Sequence, residues 1–212
     1  MRPQRDWPLV LALGTAQTLA WGSTYYLPAL LAKPMAAGLG LPETTIWAAF
    51  TLALLASAAL GPFAGRAIDR LGGRPVLMGT SLLFAAGLAA LSQAQGTVSL
   101  MLAWLVLGVA MGSGLYEAAF AALVRLKGTE ARASITGITL IAGFASTVGW
   151  PLSGWLEAEL GWRGACLTWA ALHLLLGLPL NASIPRAAAL PTSRSINLKV
   201  TLHLMCVLPT AC

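Results

Sequence analysis

The sequence predicts an all-α protein that crosses a membrane with six transmembrane helices. Hydrophobic residues make up 58% of the 212 residues, charged residues make up only 9%, and the mean hydropathy is +0.77. A soluble domain carries about 25% charged residues to cover its surface. Most of this surface must therefore face lipid, and the apolar residues are gathered into six long runs. The composition excludes a disordered chain, a coiled coil and an ordinary cytosolic enzyme.

Each apolar run is long enough to cross a bilayer as a helix. The runs cover residues 7–31, 44–64, 75–91, 98–124, 133–156 and 164–184. A span needs about 20 residues, and about 17 are tolerated. A helix is the only open-chain element that satisfies its own backbone in lipid, so six helices are predicted. The first run exceeds the roughly 7–15 apolar residues of a signal peptide, and we expect it to be retained.

The basic residues predict how the helices are oriented. With the N-terminus inside, eleven of the thirteen Lys and Arg residues face the cytoplasm, and only Lys33 and Arg163 lie outside. This bias places both termini in the cytoplasm and the chain in the cell inner (plasma) membrane. Residues 1–6 then form a cytoplasmic N-terminus, residues 7–184 the six-helix bundle, and residues 185–212 a linker-like and apolar tail.

Charge and cysteine spacing narrow the range of partners and cofactors. The formal charge of +6 is spread between the apolar runs, so we expect membrane lipids as partners and no nucleic acid. Cys166, Cys206 and Cys212 show neither CxxC spacing nor a metal-ligand pattern. No nucleophile and base are arranged for catalysis. We therefore expect no metal, no cofactor and no enzymatic activity.

The loop between the second and third runs carries the most specific motif. Residues 65–74 read Gly-Arg-Ala-Ile-Asp-Arg-Leu-Gly-Gly-Arg. This segment resembles the loop signature of the major facilitator superfamily, Gly-x-x-x-Asp-Arg-x-Gly-x-Arg/Lys, and it matches at Gly65, Asp69, Arg70, Gly72 and Arg74. The resemblance implies half of the facilitator fold, with a loop that latches two halves in one gating state. The alternative is a basic loop that only sets topology.

Two departures and one looser match accompany this motif. Gly73 stands where the family often has a basic residue, and Gly108 stands where many proton-coupled members have an arginine, so the resemblance does not imply proton coupling. The fifth run is similar to the Gly/Pro-rich fifth helix of facilitator antiporters. Small residues permit close helix contact and proline bends a helix, which predicts packing or hinge roles. These residues are Gly143, Gly149, Pro151 and Gly154.

The resemblance implies that the first and fourth helices line a central cavity. Gln17, Trp21 and Thr24 share one helical face, and Tyr25 flanks it. The segments 21–28 and 115–120, the latter including Tyr116, are similar to bacterial monocarboxylate and oxalate/formate members. A small-molecule substrate, with organic anions as one class, is therefore expected. Hydrogen bonds between helices without any substrate are the alternative role for these polar groups.

Glu117 is the only acidic residue well inside a predicted span. A bare carboxylate in hydrocarbon costs roughly 2.5–3.5 kcal/mol, so it should be paired, protonated or in a wet cavity. Three roles remain open at this point: contact with substrate or a proton, pairing with the loop arginines, and a structural or hydrated position. His173, in the sixth run, is expected to pack or to bond a backbone carbonyl.

Facilitator transporters have two six-helix halves with the substrate between them, and this chain has the pattern of the first half. The change of composition after Pro185 favours an N-terminal half shortened by truncation or a shifted reading frame, and transport by this half alone is an open question. The second hypothesis is a small membrane protein that acts by homodimerisation or by association with another transporter. The expected partner is the missing C-terminal half or a second copy.

Overall fold

The computed structural model describes residues 7–186, and all regular structure within this range is helical. The predictions for residues 1–6, for the tail beyond residue 186, and for Cys206 and Cys212 lie outside the described residues. The helices are α1 (Trp7–Ser23), α2 (Leu27–Leu39), α3 (Glu43–Leu71), α4 (Gly73–Ser92), α5 (Thr97–Gly114), α6 (Tyr116–Lys127), α7 (Ala131–Ala142), α8 (Ala145–Leu172) and α9 (Leu178–Ala182). A 3₁₀ turn, Gly128–Glu130, precedes α7, and a π-helical turn, His173–Gly177, precedes α9.

The first apolar run is divided into two helices, where the sequence predicted one. The chain leaves helical conformation after α1 and re-enters it at Leu27, with Pro28 in the first turn of α2. Proline lacks an N–H, and its ring clashes with the carbonyl four residues earlier, so it begins a helix more readily than it continues one. The second helix extends beyond the predicted end at Leu31, and Gly40 caps it at φ 64°.

The later runs are also interrupted. Leu115, in extended conformation, separates α5 from α6, and Gly143 and Phe144 separate α7 from α8. Within α8, Gly161 adopts φ 68° and ψ 171°, so the chain changes direction where the predicted fifth run gives way to the sixth. These breaks fall between or within the predicted runs. The first five runs start within two residues of a helix start, but those that end at Leu31 and Ala64 stop eight and seven residues short of the ends of α2 and α3.

Three described helical stretches are long and apolar enough to cross a membrane, namely Glu43–Leu71, Gly73–Ser92 and Thr97–Ala182. The third stretch contains 86 residues and is interrupted by the breaks described above. The chain is therefore a multi-pass membrane protein. The count of six spans stays a prediction.

Small residues set the closest helix contacts. A Cβ built on Gly108 would lie 2.4 Å from the carbonyl oxygen of Ala53, and one on Gly112 would lie 2.7 Å from that of Ser57. These two glycines therefore let α5 approach the backbone of α3, as small residues do in membrane helix pairs. The buried apolar core around this contact includes Trp104 and continues into α2, α4 and α8.

Candidate functional site

An aromatic cluster lies where the break between α1 and α2 meets the break between α5 and α6. Trp21 is at its centre, with ring centroids 5.1 Å from Tyr25, 6.2 Å from Tyr26 and 5.0 Å from Tyr116. Tyr116 in turn stacks on Phe120 at 5.3 Å. The two helix breaks bring these rings together, because each break places an aromatic residue at the end of a half-helix.

The cluster reaches two further helices. Tyr25 contacts Phe50 of α3 at 5.7 Å, and Tyr26 contacts Trp150 of α8 at 6.3 Å, both edge to face. Tyr25 is 42% exposed and Trp150 is 47% exposed, so part of the cluster is open on one side. We call these residues the aromatic cluster: Trp21, Tyr25, Tyr26, Phe50, Tyr116, Phe120 and Trp150.

The indole nitrogen of Trp21 is buried and has no hydrogen-bond acceptor among the described residues. A buried indole N–H is a donor only, and it normally finds an acceptor. No basic side chain makes a ring contact or hydrogen bond with the described cluster residues. The cluster therefore offers ring faces, one buried free donor at Trp21 and the hydroxyls of its three tyrosines, with no positive charge in contact among the described residues.

The remaining residues predicted for the cavity are Gln17, Thr24 and Glu117, and none of them bonds a cluster residue. Gln17 is 2% exposed and donates from Nε2 to the carbonyl oxygen of Gly114 at 2.8 Å. Thr24 is buried, and its Oγ1 donates to the carbonyl oxygen of Ala20, four residues earlier in the chain, at 2.6 Å. Glu117 is exposed at the start of α6 and has neither a hydrogen bond nor an ion pair to a described residue. The structure thus brings together Trp21, Tyr25 and Tyr116 of the predicted set.

The loop motif lies at the junction of α3 and α4. Gly72 adopts φ 93°, and its N–H donates to the carbonyl oxygen of Ile68 at 2.8 Å, which ends α3. Asp69 and Arg70 are exposed, whereas Arg74 is partly buried. Within the described range none of the three forms an ion pair.

A family model of the Major Facilitator Superfamily matches residues 13–198. The chain belongs to the Major Facilitator Superfamily. The match includes every described helix except the first turns of α1, and it agrees with the loop motif at residues 65–74. This superfamily is one of transporters and is not a class of enzymes.

Curated relatives in the superfamily are considerably longer than this chain. Multidrug resistance protein MdtH of Aeromonas hydrophila subsp. hydrophila is 32% identical over 143 residues, which cover 66% of this chain and 35% of that protein. Multidrug resistance protein B homolog of Mycobacterium tuberculosis is 32% identical over 142 residues, which cover 66% of this chain and 25% of that protein. The chain therefore spans about a third or less of the curated relatives it matches.

A solved transporter has the same fold over most of the described helices. The crystal structure of the human organic anion transporter MFSD10 (TETRAN) matches 90% of this chain and 49% of its own, with a TM-score of 0.58 and 22% sequence identity. At this identity the likeness shows the fold alone. The chain thus has the fold of about half of a Major Facilitator Superfamily protein.

The packing residues predicted in the fifth run lie at or near helix contacts and breaks. A Cβ on Gly149 would lie 2.9 Å from the Cα of Gly22, so α1 and α8 meet backbone to backbone. Pro151 lies inside α8, Gly143 lies at the break before it, and a Cβ on Gly154 would be 3.8 Å from Leu30. The contact between Gly22 and Gly149 is the tightest of these approaches.

Sequence reasoning missed an arginine that holds the loop motif. Arg125 of α6 donates from Nη1 to the main-chain carbonyl oxygens of Ile68 and Asp69. Arg125 is thus a second donor to the Ile68 carbonyl, which already accepts from the Gly72 N–H, and it also bonds the Asp69 carbonyl. A cation at this position opposes the dipole at the C-terminal end of the helix. The sequence marked Arg125 only as one of the basic residues that set orientation, because nothing local indicates which helix end it reaches.

A second arginine does the same at the opposite end of the bundle. Arg163 donates to the carbonyl oxygen of Ser92, the last residue of α4, and to that of Ala94, two residues later. Its guanidinium lies 4.3 Å from the ring centroid of Trp162. The distribution of basic residues predicted the orientation of the helices and placed Arg163 outside, but it did not predict this contact.

Gly73 has a steric role that explains its departure from the family pattern. A Cβ on this residue would lie 2.2 Å from the Cβ and 2.9 Å from the Cα of Ala122 in α6. Real Cβ atoms do not approach this closely, so any side chain would push α4 away from α6. The basic residue common in the family at this position is incompatible with this helix spacing.

Proposed function

We propose that this chain forms one six-helix unit, residues 7–184, of a secondary transporter that moves a small organic solute by alternating access. Membership of the Major Facilitator Superfamily and the complete loop motif support this proposal. In such transporters the solute binds between two six-helix units that rock against each other. The unit lies in the inner membrane with both termini in the cytoplasm, in keeping with the distribution of basic residues.

The aromatic cluster is the part of the solute site that this unit supplies. The observation that carries this assignment is the buried N–H of Trp21, which has no acceptor among the described residues. Trp21 makes three ring contacts, and its neighbours make two more with other aromatic rings of the cluster. A solute with a carbonyl, ether or amide oxygen would accept this hydrogen bond, and its apolar part would pack on Trp21 and Tyr116.

Charge favours one class of solute over another. The ring faces of the cluster carry negative potential, and the exposed carboxylate of Glu117 follows Tyr116 directly in the sequence. An organic anion, the class expected from sequence and named for MFSD10, would need a positive group from another part of the transporter. An aromatic organic cation or a neutral amphiphile fits the described residues better, and the relatives are named multidrug resistance proteins.

The second unit is a partner that covers α3. In the most apolar stretch of α3 only 22% of the residues are buried, compared with 50% for α4. Leu52, Leu55 and Phe63 of α3 are large, apolar and between 36% and 64% exposed. A C-terminal half or a second copy of the chain would bury this face, and Asp69, Arg70 and Arg74 would meet it at the cytoplasmic end.

Equilibrium binding of two ions of the same shape tests the solute site. Labelled tetraphenylphosphonium and tetraphenylborate differ in charge but present the same four rings. We expect the purified full chain to bind the cation more tightly, and Trp21→Ala to weaken that binding about tenfold or more, in line with the loss of a hot-spot aromatic. Trp155→Ala is the matched control, because Trp155 is 60% exposed and lies outside the cluster. Equal loss in both variants would contradict the assignment.

Photocrosslinking in membranes tests the second unit. p-Benzoylphenylalanine placed at Leu55 of α3 should yield a chain-to-chain crosslink if a second copy supplies the unit. The same group at Leu175, which is 77% exposed on the π-helical turn, is the control position. Crosslinking of equal yield from both positions, or from neither, would count against a second copy on α3.

Exchange of a labelled solute across liposome membranes tests transport itself. At protein densities where the Leu55 crosslink forms, we expect counterflow of ethidium, an aromatic cation, to exceed that of protein-free liposomes. If a second copy supplies the second unit, the rate should rise faster than linearly with protein density, because two copies then form one transporter. Trp21→Ala should abolish the exchange. Absence of exchange from crosslinked pairs would contradict transport by a pair of these units.

A further inference from the structure

A small polar cavity lies inside the bundle, away from the aromatic cluster. It is bordered by α1, α4, the end of α5 and the chain from the π-helical turn to α9, and its volume is about 10 Å³ when counted as room for the centre of a water-sized sphere. A single water needs roughly 10–15 Å³ by this measure. The polar residues of its lining are Gln17, Thr80, Ser81, His173 and Asn181, each of them 8% exposed or less.

One side-chain atom of this lining lacks a partner. The amide of Gln17 is held in one orientation, because its Nε2 donates to the carbonyl oxygen of Gly114 at 2.8 Å. Its Oε1 is buried and receives no hydrogen bond from any described residue. A buried acceptor left unpaired is strongly unfavourable, and buried polar atoms are nearly always bonded to protein or to ordered water.

We propose that this cavity binds one water molecule, which donates a hydrogen bond to Gln17 Oε1 and joins α1 to the neighbouring helices. The water finds further partners in the same lining. Ser81 Oγ donates to Leu77 O at 3.2 Å and accepts from Asn181 Nδ2 at 2.9 Å, which leaves it one lone pair. A buried water typically makes about three such bonds.

The lining selects water over a metal cation of similar size. A buried cation needs several oxygen ligands and usually a carboxylate to offset the loss of hydration. The cavity has no acidic residue in its lining, and the nearest ionisable group, His173, uses its Nε2 in a 2.8 Å contact with Ser23 Oγ. A neutral species that donates hydrogen bonds is the one that satisfies Gln17.

The π-helical turn makes the room for this water. Gly177 ends the turn, and a Cβ built on it would lie 3.3 Å from His173 Nδ1 and 3.6 Å from Ser81 Oγ. A methyl group here would therefore lie beside Ser81 Oγ, one of the groups that the proposed water bonds. Single π-helical turns often occur at functional positions, and here the turn brings His173 and Gly177 to the cavity.

The substitution Gly177→Ala tests the proposal through the sign of its effect. In a dry cavity the methyl group would gain contacts and helix propensity, and the melting temperature of the full chain in detergent would rise. If the methyl group displaces a bound water, Gln17 Oε1 loses its donor, and we expect a fall of about 3–8 °C. Gly79→Ala is the matched control, because Gly79 lies inside α4 with nothing within 4 Å of its Cβ position.

Making Gly177→Ala in a Gln17→Met chain separates the effect of losing the water from the effect of steric strain. The same Cβ would lie 3.2 Å from Leu19 Cδ2, so part of the fall could come from steric strain. Strain would persist when Gln17 is replaced, whereas the penalty of an unpaired acceptor would not. We therefore expect Gly177→Ala to lower the melting temperature at least threefold less in Gln17→Met than in the wild-type background. Equal falls in both backgrounds, or a rise in the wild type, would overturn the proposal.

Two further measurements do not depend on the Gly177→Ala variant. Radiolytic hydroxyl labelling oxidises buried side chains only where a water lies next to them, so we expect His173 and Phe84 to be labelled. The buried Trp169, which lies outside the cavity lining and whose Nε1 donates to Ser153 Oγ, should be spared. Unlabelled His173 and Phe84 would overturn the proposal. So would a melting temperature that rises with NaCl relative to choline chloride in the wild type but not in Gln17→Met, since that result indicates a cation.

Discussion

The guanidinium of Arg125 donates to the main-chain carbonyl oxygen of Asp69, and so α6 holds the C-terminal end of α3 within the loop motif. The same group reaches the carbonyl oxygen of Ile68. Asp69 is thus fixed through its backbone, while its carboxylate stays exposed and without an ion pair among the described residues. We expect this arrangement to place the carboxylate where the proposed second unit would meet it.

Replacing Arg125 should therefore loosen the loop. We expect Arg125→Gln to lower the free energy of unfolding by about 2–3 kcal/mol, because charge-assisted hydrogen bonds to two carbonyls are lost. Thermal unfolding of the purified chain measures this effect. Arg132→Gln is the control, since Arg132 is exposed on α7 and makes no described side-chain contact. Similar stability of the two variants would contradict the structural role of Arg125.

Gly73 should not tolerate the basic residue that the family often has there. Gly73→Arg brings a Cβ against Ala122, and we expect it to destabilise the chain by about 1–3 kcal/mol through overpacking. The loss caused by Gly73→Arg, measured by thermal unfolding, should be smaller in an Ala122→Gly background, where the Cβ contact is absent and the 2.9 Å approach to the Cα remains. Gly65→Ala serves as control, because its Cβ meets nothing within 4 Å. If Ala122→Gly gives no rescue, the contact is not the cause.

The backbone contact between Gly22 and Gly149 should be equally sensitive. Gly149→Ala places a Cβ 2.9 Å from the Cα of Gly22, and neither backbone can yield as a flexible side chain would. We expect a loss of about 1–3 kcal/mol in unfolding free energy. Gly154→Ala, on the same helix, meets only Leu30 at 3.8 Å and should change stability by less than about 0.5 kcal/mol. The reverse order of the two effects would exclude this close approach of α1 and α8.

Arg163 should stabilise the end of α4 that lies on the opposite side from the loop motif. We expect Arg163→Met to lower the free energy of unfolding by about 2 kcal/mol, because Ser92 O and Ala94 O lose a charged donor. Proteolysis near residue 93 in detergent should become faster at the same time. Lys33→Met, on an exposed position of α2, is the control and should leave both measurements unchanged.

The helices themselves could largely be predicted from the sequence. The third apolar run, 75–91, lies inside α4 at Gly73–Ser92, and the second, 44–64, begins within one residue of α3. Apolar length is a local signal, because each stretch must satisfy lipid on its own. The loop motif at 65–74 was equally readable, because its glycines and charges are close together in sequence. Family membership confirmed the fold that this motif implied.

The candidate site was harder to predict, because its members meet through helix breaks and distant contacts. Trp21 and Tyr116 were both proposed from sequence, but only the breaks near Pro28 and at Leu115 place their rings 5.0 Å apart. Helical spacing put Gln17 on the face of Trp21, yet Gln17 bonds Gly114 inside the bundle. Such tertiary partners carry no local sequence signal.

Photoaffinity labelling of the aromatic cluster tests the central claim most directly. An aryl azide derivative of triphenylphosphonium, activated on the full chain in membranes, should label residues 21–26 and 116–120, and excess tetraphenylphosphonium should prevent the labelling. Trp21→Ala should reduce it severalfold, while Trp155→Ala should not. A solute site built on Trp21 would be contradicted if these segments were labelled equally in wild type and Trp21→Ala. It would also be contradicted if the labelling that tetraphenylphosphonium prevents were confined to other helices.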